Sequence, residues 1–161
     1  MDRVRLEEIE NSYGPAAVKR RLTEPLGASE VAVNYYELAP GDAFAFGYHR
    51  HSDQEEVFVV QSGTVTFRTE DGPVEVTANE AVRFAPGERQ RGVNEGSERV
   101  RAVAIGAPQE AGETDIRRYC EGCGTETSQT IARADEGAGL VTRCLECEQV
   151  TGRFVHGEVE P

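Results

Sequence analysis

The sequence has very little lysine, no tryptophan and no long apolar run. Lys19 is the only lysine among 17 basic residues, so arginine carries nearly all of the positive charge. No stretch approaches the roughly 18 consecutive apolar residues that a membrane-spanning helix needs. Residues 1–10 alternate in charge around no apolar segment, which argues against a signal peptide. We therefore expect neither a membrane span nor a secretory leader.

Acidic residues outnumber basic ones in this chain. The 29 aspartates and glutamates give a net charge of −12 against 17 basic residues. This excess argues against nucleic acid or an anionic membrane as a partner of the main body. An acidic, lysine-poor surface resembles those of halophilic proteins, in which exposed carboxylates hold water. The alternative is an ordinary acidic protein with a bias toward arginine codons.

Short predicted strands separated by turns occupy the middle of the chain. Between residues 31 and 106 the apolar pattern favours about eight strands. This arrangement predicts an all-β antiparallel sandwich or barrel, because helices do not alternate with the strands. Residues 1–30 precede it as an approach segment that could hold a short helix. The polar residues 107–116 contain Pro and Gly and predict a linker.

Two histidines and a glutamate form the most informative pattern. His49 and His51 lie two residues apart on a predicted strand, so their side chains project from the same face. Glu56 opens the next predicted strand and shares a face with Phe58. Two imidazoles and a carboxylate that converge from neighbouring strands suit a divalent transition metal with open coordination positions.

This spacing resembles the first motif of the cupin superfamily, whose members are double-stranded β-helix (jelly-roll) barrels with a metal in the mouth. The six-residue gap that follows Glu56 and ends at Gly63 favours Glu56 over its neighbour Glu55 as the acidic residue of that motif. The resemblance covers about residues 31–106. It implies a barrel metal such as Zn, Mn, Fe or Ni, together with a small-molecule ligand.

The second cupin motif departs from the pattern at one position. Gly87 and Asn94 fall in register with that motif, and Gln90 occupies the place of its metal-binding histidine. A glutamine amide oxygen is a neutral and weaker ligand than imidazole. A related arrangement with glutamine among the ligands occurs in the zinc-dependent phosphomannose isomerases of the superfamily. The resemblance therefore implies Gln90 as a weak fourth ligand.

The cysteines form a second metal-binding pattern. Two Cys-x-x-Cys pairs lie 20 residues apart and comprise Cys120, Cys123, Cys144 and Cys147. Four thiolates at this spacing are typical of a closed tetrahedral zinc site. Residues 117–156 resemble a zinc ribbon, followed by a tail at 157–161. A rubredoxin-type iron site and two redox pairs are the alternatives. This layout favours metal in a reducing compartment, the cytoplasm, over disulfides.

The functional hypothesis is a small cupin that binds a metal or small molecule in the barrel mouth. As an enzyme it would resemble cupin oxygenases or isomerases. The sequence assigns no catalytic residue, because it shows no nucleophile–base pair and no Gly-rich phosphate loop. The alternative is a non-catalytic sensor or adaptor whose zinc ribbon docks a protein partner. A degenerate cupin retained for structure is a third hypothesis, and the resemblance implies a homodimer through barrel faces.

Overall fold

The protein is built almost entirely of β-strands. The computed structural model describes residues 1–135 and 138–155, and the backbone alone for 158–160; positions 136, 137, 156, 157 and 161 lie outside it. A single 3-10 turn covers Leu6–Glu8. The described residues contain fourteen strands: β1 (Val18–Arg21), β2 (Ala32–Leu38), β3 (Tyr48–His51), β4 (Glu55–Ser62), β5 (Thr64–Thr69), β6 (Gly72–Thr77), β7 (Ala81–Phe84), β8 (Gln90–Val93), β9 (Val100–Ala107), β10 (Thr114–Cys120), β11 (Thr125–Arg133), β12 (Leu140–Cys144), β13 (Val150–Val155) and β14 (Glu158–Glu160).

Two antiparallel sheets enclose the hydrophobic core. One sheet has the strand order β1-β2-β9-β4-β7, and the other has the order β14-β13-β12-β11-β10-β3-β8-β5-β6. The core between them is aromatic: Phe58 comes from the first sheet, Phe67 from the second, and their ring centroids lie 5.0 Å apart. The prediction of an all-β chain with jelly-roll architecture is confirmed. No helix among the described residues has the length and hydropathy to span a membrane.

The strand that carries His49 and His51 is short. Only Tyr48–His51 forms a strand, while Phe44 turns its ring into the core, where it is 4 % exposed. Gly47 precedes the strand, and a Cβ atom there would lie 2.5 Å from the Arg117 carbonyl oxygen. Glycine is therefore required at this position, because a strand from the C-terminal region approaches its backbone closely.

The predicted linker ends inside a strand. Residues 114–116 of the 107–116 segment belong to β10, which pairs with β3 through the registers Thr114↔His51 and Ile116↔His49. The two C-terminal hairpins therefore extend the barrel sheet. Strand β8 pairs with one edge of β3, and β10 pairs with the other. Local periodicity does not report such long-range pairing, so the sequence assigned these residues to a connection.

The predicted approach segment also contributes to the barrel. Within residues 1–30, β1 pairs with β2 and forms an edge of the five-stranded sheet. Lys19 lies opposite Tyr36 in this pairing. The expected short helix is present only as the 3-10 turn. The N-terminal segment therefore supplies side chains to the core side of a barrel sheet.

Candidate metal centres

The two sheets bring the predicted His, His and Glu side chains together. His49 and His51 project from β3 of the larger sheet, and Glu56 projects from β4 of the smaller one. The Nε2 atom of His49 lies 3.4 Å from Glu56 Oε2, and that of His51 lies 3.6 Å from Glu56 Oε1. One ligand atom from each residue lies within 4.8 Å of the others, so the group could hold a metal ion. The ligand strands face each other across the barrel and are not adjacent in one sheet.

Hydrogen bonds orient both imidazole rings. The Nδ1 atom of His49 lies 3.2 Å from the Gly47 carbonyl oxygen, and Nδ1 of His51 lies 2.8 Å from the Thr114 hydroxyl. A proton on each Nδ1 satisfies these acceptors and leaves the Nε2 lone pairs directed at the common point. Metal-binding histidines in proteins almost always carry such a second partner.

Burial alone would raise the pKa of Glu56, but its neighbours have the opposite and larger effect. Hydrogen bonds and charge from His49 and His51 hold the pKa of this carboxyl well below its ordinary value. The group is therefore an ionised oxygen donor. The alternative acidic residue, Glu55, forms an ion pair with Arg83 instead. The structure thus brings Glu56, and not Glu55, to the histidines.

Gln90 lies beside this cluster with its amide nitrogen facing it. The residue is 1 % exposed and pairs in register with His49. Its Nε2 donates to Glu56 Oε2 over 2.8 Å and lies 3.4 Å from His49 Nε2, whereas Oε1 has no hydrogen-bond partner. Rotation of the amide by half a turn would exchange the two atoms and direct an oxygen at the cluster. The donor set with its orphaned oxygen therefore fits a metal ion.

A cavity of about 240 Å³ opens next to the three ligands. Phe44, Phe46, Phe58, Ile116 and Ile131 supply most of its apolar wall, and Lys19, Asn34, Tyr36, Gln54 and Thr114 supply polar groups. Arg89, which precedes Gln90 in the chain, does not line this cavity and binds Asp115 instead.

The sequence did not single out several of these residues. Lys19 and Asn34 come from β1 and β2, and Thr114 and Ile131 come from the C-terminal hairpins. Only Lys19 carried a signal, namely that it is the single lysine of the chain.

The four cysteines form a compact second cluster. Cys120 and Cys144 are 0 % and 1 % exposed, and all four Sγ atoms lie within 4.8 Å of one another. Cys120 Sγ lies 3.5 Å from Cys147 Sγ, and Cys123 Sγ lies 3.8 Å from Cys144 Sγ. Tetrahedral zinc with Zn–S bonds of about 2.3 Å separates its sulfurs by about 3.8 Å. The cluster is consistent with a zinc-binding site.

Two matching turns present the cysteines. Gly124 N–H donates to the Cys120 carbonyl over 2.8 Å, and Glu148 N–H donates to the Cys144 carbonyl over 3.0 Å. Gly124 has φ 68° and Glu148 has φ 62°, so both turns close through the left-handed region. A hydrogen bond with Thr127 lowers the pKa of Cys144 to about 6, which favours its thiolate.

Comparison with known proteins agrees with this architecture. The family model described as the cupin domain matches residues 34–106. No curated protein matches this chain. A crystal structure of a sugar phosphate isomerase of the cupin superfamily from Silicibacter pomeroyi is similar in fold, with TM-score 0.59 and 19 % identity over 95 % of this chain and 90 % of that one.

Two further solved structures are similar. A candidate sugar phosphate isomerase from Acidithiobacillus ferrooxidans has TM-score 0.55 and 18 % identity over 96 % of this chain and 85 % of its own. A predicted oxalate decarboxylase from Thermotoga maritima has TM-score 0.57 and 19 % identity over 66 % of this chain and 98 % of its own. At these identities the comparisons establish a shared fold.

Proposed function

We propose that this chain, in which residues 34–106 form a cupin domain, is a metal-dependent enzyme that acts on a small molecule in the barrel cavity. One observation carries the proposal. The Nε2 atoms of His49 and His51 and the carboxylate of Glu56 converge at one point, and a cavity of about 240 Å³ lies directly beside it. An open metal position next to a cavity is typical of catalytic rather than structural sites.

The protein's own residues hold the ligands in place. Thr114 fixes the His51 ring, the Gly47 carbonyl fixes His49, and Gln90 holds one oxygen of Glu56. A divalent transition metal bound there would act as a Lewis acid on an oxygen atom of the substrate. Because its pKa is lowered, Glu56 serves better as a ligand than as a proton acceptor.

The apolar wall limits access of water to this point. Ile116 and Ile131 come from the C-terminal hairpins and face Phe58 of the opposite sheet across the cavity. Exclusion of water strengthens electrostatic interactions at the reacting atoms. We therefore propose that the cysteine region contributes to the site as one of its walls, in addition to binding its own structural zinc.

Elemental analysis of the purified chain tests this proposal. We expect two metal ions per wild-type chain and one per His49→Ala/His51→Ala chain, with the cysteine site still filled. Metal-loaded protein is then incubated with sugar phosphates, and separately with oxygen and small organic acids. Turnover that disappears in the double variant supports the proposal. One metal per chain, unchanged by the double substitution, contradicts it.

A second candidate function is suggested by the surface beside the cysteines. Tyr119 and Leu145 are 61 % and 58 % exposed and directly adjoin Cys120 and Cys144. Exposed aromatic and aliphatic side chains next to rigid turns are suited to docking a protein partner. In this alternative the cupin domain senses a small molecule and the cysteine region is an adaptor. A Tyr119→Ser/Leu145→Ser variant that keeps its zinc and its small-molecule binding but loses every copurifying protein would favour it.

A further inference from the structure

We infer that Lys19, the single lysine of the chain, binds the anionic group of the small molecule that enters the His49–His51–Glu56 cavity. This inference rests on the proposed function, because it assigns a substrate class to the same cavity. It identifies the ligand as a small carboxylate or phosphate. No sequence motif marks Lys19, since it lies in the N-terminal segment outside the matched cupin domain.

The strand pairing of β1 directs Lys19 inward. Lys19 lies opposite Tyr36, which belongs to the hydrophobic core and is 5 % exposed. The next residue, Arg20, projects to the other face and hydrogen-bonds the Ile9 carbonyl oxygen. The Nζ atom of Lys19 lies 5.3 Å from the centroid of the Tyr36 ring, and its side chain lines the cavity. Alternation along the strand therefore places this ammonium group on the ligand side of the sheet.

No carboxylate neutralises Lys19 within the described part of the chain. Several arginines do have acidic partners; Arg99, for example, pairs with Glu37 over 3.2 Å. Lys19 is half-buried and has no such ion pair with any described residue, so its charge is not neutralised by a neighbouring carboxylate. Its contact with the Tyr36 ring offsets part of the desolvation. The remaining hydrogen-bonding capacity of the ammonium is available to a ligand.

The charge of the cavity favours an anion. Glu56 is the only acidic residue among the described residues that line it, and its oxygens face the histidines. With a divalent metal, one carboxylate and one ammonium, and with neutral imidazoles, the cavity carries a charge of about +2. This positive interior lies within a protein of net charge −12. A neutral ligand would leave that charge uncompensated in a partly desolvated space.

Lys19 stands where the cavity meets a wider groove. Lys19, Asn34 and Gln54 line both the 240 Å³ cavity and an adjoining groove of about 830 Å³. At about 30 Å³ per water molecule in the liquid, the inner cavity has room for a ligand of roughly eight water volumes. A small carboxylate fits the inner cavity alone, whereas the sugar part of a phosphorylated sugar would extend into the groove. Both share an anionic oxygen group that the ammonium can bind.

Calorimetric titration of metal-loaded protein with glycolate and with glycerol 3-phosphate tests the inference. The test variant is Lys19→Gln, which removes the charge. The matched control is Arg21→Gln, because Arg21 lies on the same face of β1 but lines only the outer spaces. We expect Lys19→Gln to raise the dissociation constant about 10-fold, as for loss of one hydrogen bond to a charged group. For glycolate, which fits the inner cavity alone, Arg21→Gln should change the dissociation constant less than about 2-fold, because the charge of Arg21 is exposed and screened.

A second measurement uses the wild-type sequence. Reductive methylation with carbon-13-labelled formaldehyde marks Lys19, the only lysine, and the N-terminal amine. The NMR signal that is missing from the spectrum of Lys19→Gln belongs to Lys19, and it should shift as the anion is added to the wild type. The probe that binds more tightly, glycolate or glycerol 3-phosphate, identifies the anionic group as carboxylate or phosphate.

The outcomes separate this inference from the proposed function. Three outcomes would overturn the role of Lys19. The Lys19→Gln variant could bind the anion as tightly as the wild type does, both variants could bind it equally weakly, or metal-loaded wild type could bind neither anion. If the cavity binds no metal but the metal-free protein still binds an anion through Lys19, the proposed enzyme fails and the lysine site stands. Selective weakening in Lys19→Gln alone supports the inference.

Discussion

The two metal-ligand clusters differ in what surrounds them. The cysteine cluster has four sulfurs within 4.8 Å of one another, the number that fills a tetrahedral zinc shell. The His49–His51–Glu56 cluster has three ligands drawn from two sheets and borders a cavity. A closed ligand shell stabilises a fold, whereas an open one can bind a substrate. This difference agrees with the proposed division, in which the cysteine cluster stabilises the fold and the His49–His51–Glu56 cluster binds a substrate.

One strand joins the two clusters. Along β10, Thr114 contacts His51, Ile116 lines the cavity and Cys120 belongs to the cysteine cluster. A change at the cysteines can therefore reach the cavity through the position of this strand. The contrast between the clusters predicts unequal effects of substitution on stability.

Substitution of a buried cysteine should give the largest effect. We expect Cys144→Ser to abolish zinc binding and to destabilise the C-terminal hairpins by more than about 5 kcal/mol, because structural zinc contributes on the order of 10 kcal/mol. His51→Ala should remove the cavity metal but lower the free energy of unfolding of the metal-free protein by only about 1 kcal/mol. Thermal denaturation combined with elemental analysis measures both. Similar losses of stability in the two variants would contradict the distinction between the clusters.

The junction between the two regions should give the next largest effect. Asp115 on β10 accepts hydrogen bonds from Arg89, the residue before β8, and, over 3.0 Å, from Ser128 on β11. Arg89 is 7 % exposed, so Asp115→Asn leaves a buried guanidinium without its anionic partner. We expect destabilisation of about 2 kcal/mol at neutral pH. Denaturant unfolding measures it. The control is Glu95→Gln in the exposed Arg68–Glu95 pair, where about 0.5 kcal/mol is expected.

The effect of Asp115→Asn should depend on pH. Burial raises the pKa of Asp115, but the Arg89 and Ser128 hydrogen bonds outweigh it and lower the pKa below its ordinary value. Because the folded-state pKa is lowered, the carboxylate stabilises the protein above the unfolded-state pKa of about 3.9. This contribution is lost as the pH falls through the folded-state pKa. The difference in free energy of unfolding between wild type and Asp115→Asn should therefore be constant near neutral pH and become smaller below about pH 4. A difference that stays constant down to about pH 2 would contradict this explanation.

Loss of the Thr114 hydroxyl should lower the metal affinity of the His49–His51–Glu56 cluster alone. Thr114→Val keeps the side-chain shape but removes the 2.8 Å hydrogen bond to Nδ1 of His51. We expect the affinity of the cavity metal to fall about 10-fold, as is typical when such a partner of a metal-binding histidine is removed. Competition titration with a metal-binding dye measures this. Thr130→Val, at an exposed position of the neighbouring strand β11, is the control and should leave the affinity unchanged.

Local spacing accounts for what the sequence predicted well. Side chains two apart on a strand share a face, so His49 and His51 had to point together, and the acidic position of the motif identified Glu56. The motif also assigned Gln90 to the place of a metal-binding histidine, and the structure pairs Gln90 in register with His49. The motif did not predict the direction of its amide, because that depends on the contact with Glu56 Oε2.

Long-range pairing accounts for what the sequence missed. Thr114 reaches His51 only because β10 pairs with β3, and these residues are 63 positions apart. Lys19 reaches the cavity only because β1 pairs with β2. Neither pairing leaves a periodic pattern in the residues concerned. Segments that local patterns assigned to an approach and a linker therefore supply a wall and a hydrogen bond to the candidate site.

In one turn of the cysteine cluster, Glu148 has a backbone conformation that its residue type disfavours. Gly124 and Glu148 occupy equivalent positions in the two cysteine turns, with φ 68° and 62°. A glutamate in the left-handed region is strained, whereas glycine is not. The second turn therefore keeps the conformation of the first, although a glutamate takes the place of the glycine.

Glu148→Gly should therefore stabilise the zinc-loaded protein by about 0.5 to 1 kcal/mol, because relief of the left-handed strain exceeds the entropic cost of a new glycine. The reciprocal variant Gly124→Ala should destabilise it by a similar amount, because no atom lies within 4 Å of the added Cβ and only the backbone conformation is penalised. Thermal denaturation of both variants at equal zinc content measures the difference. Opposite signs at the two equivalent turns would attribute the effect to backbone conformation, since the zinc ligands are unchanged. If the two substitutions change stability in the same direction, the side chain of Glu148 contributes more to the stability of the protein than its strained φ angle costs.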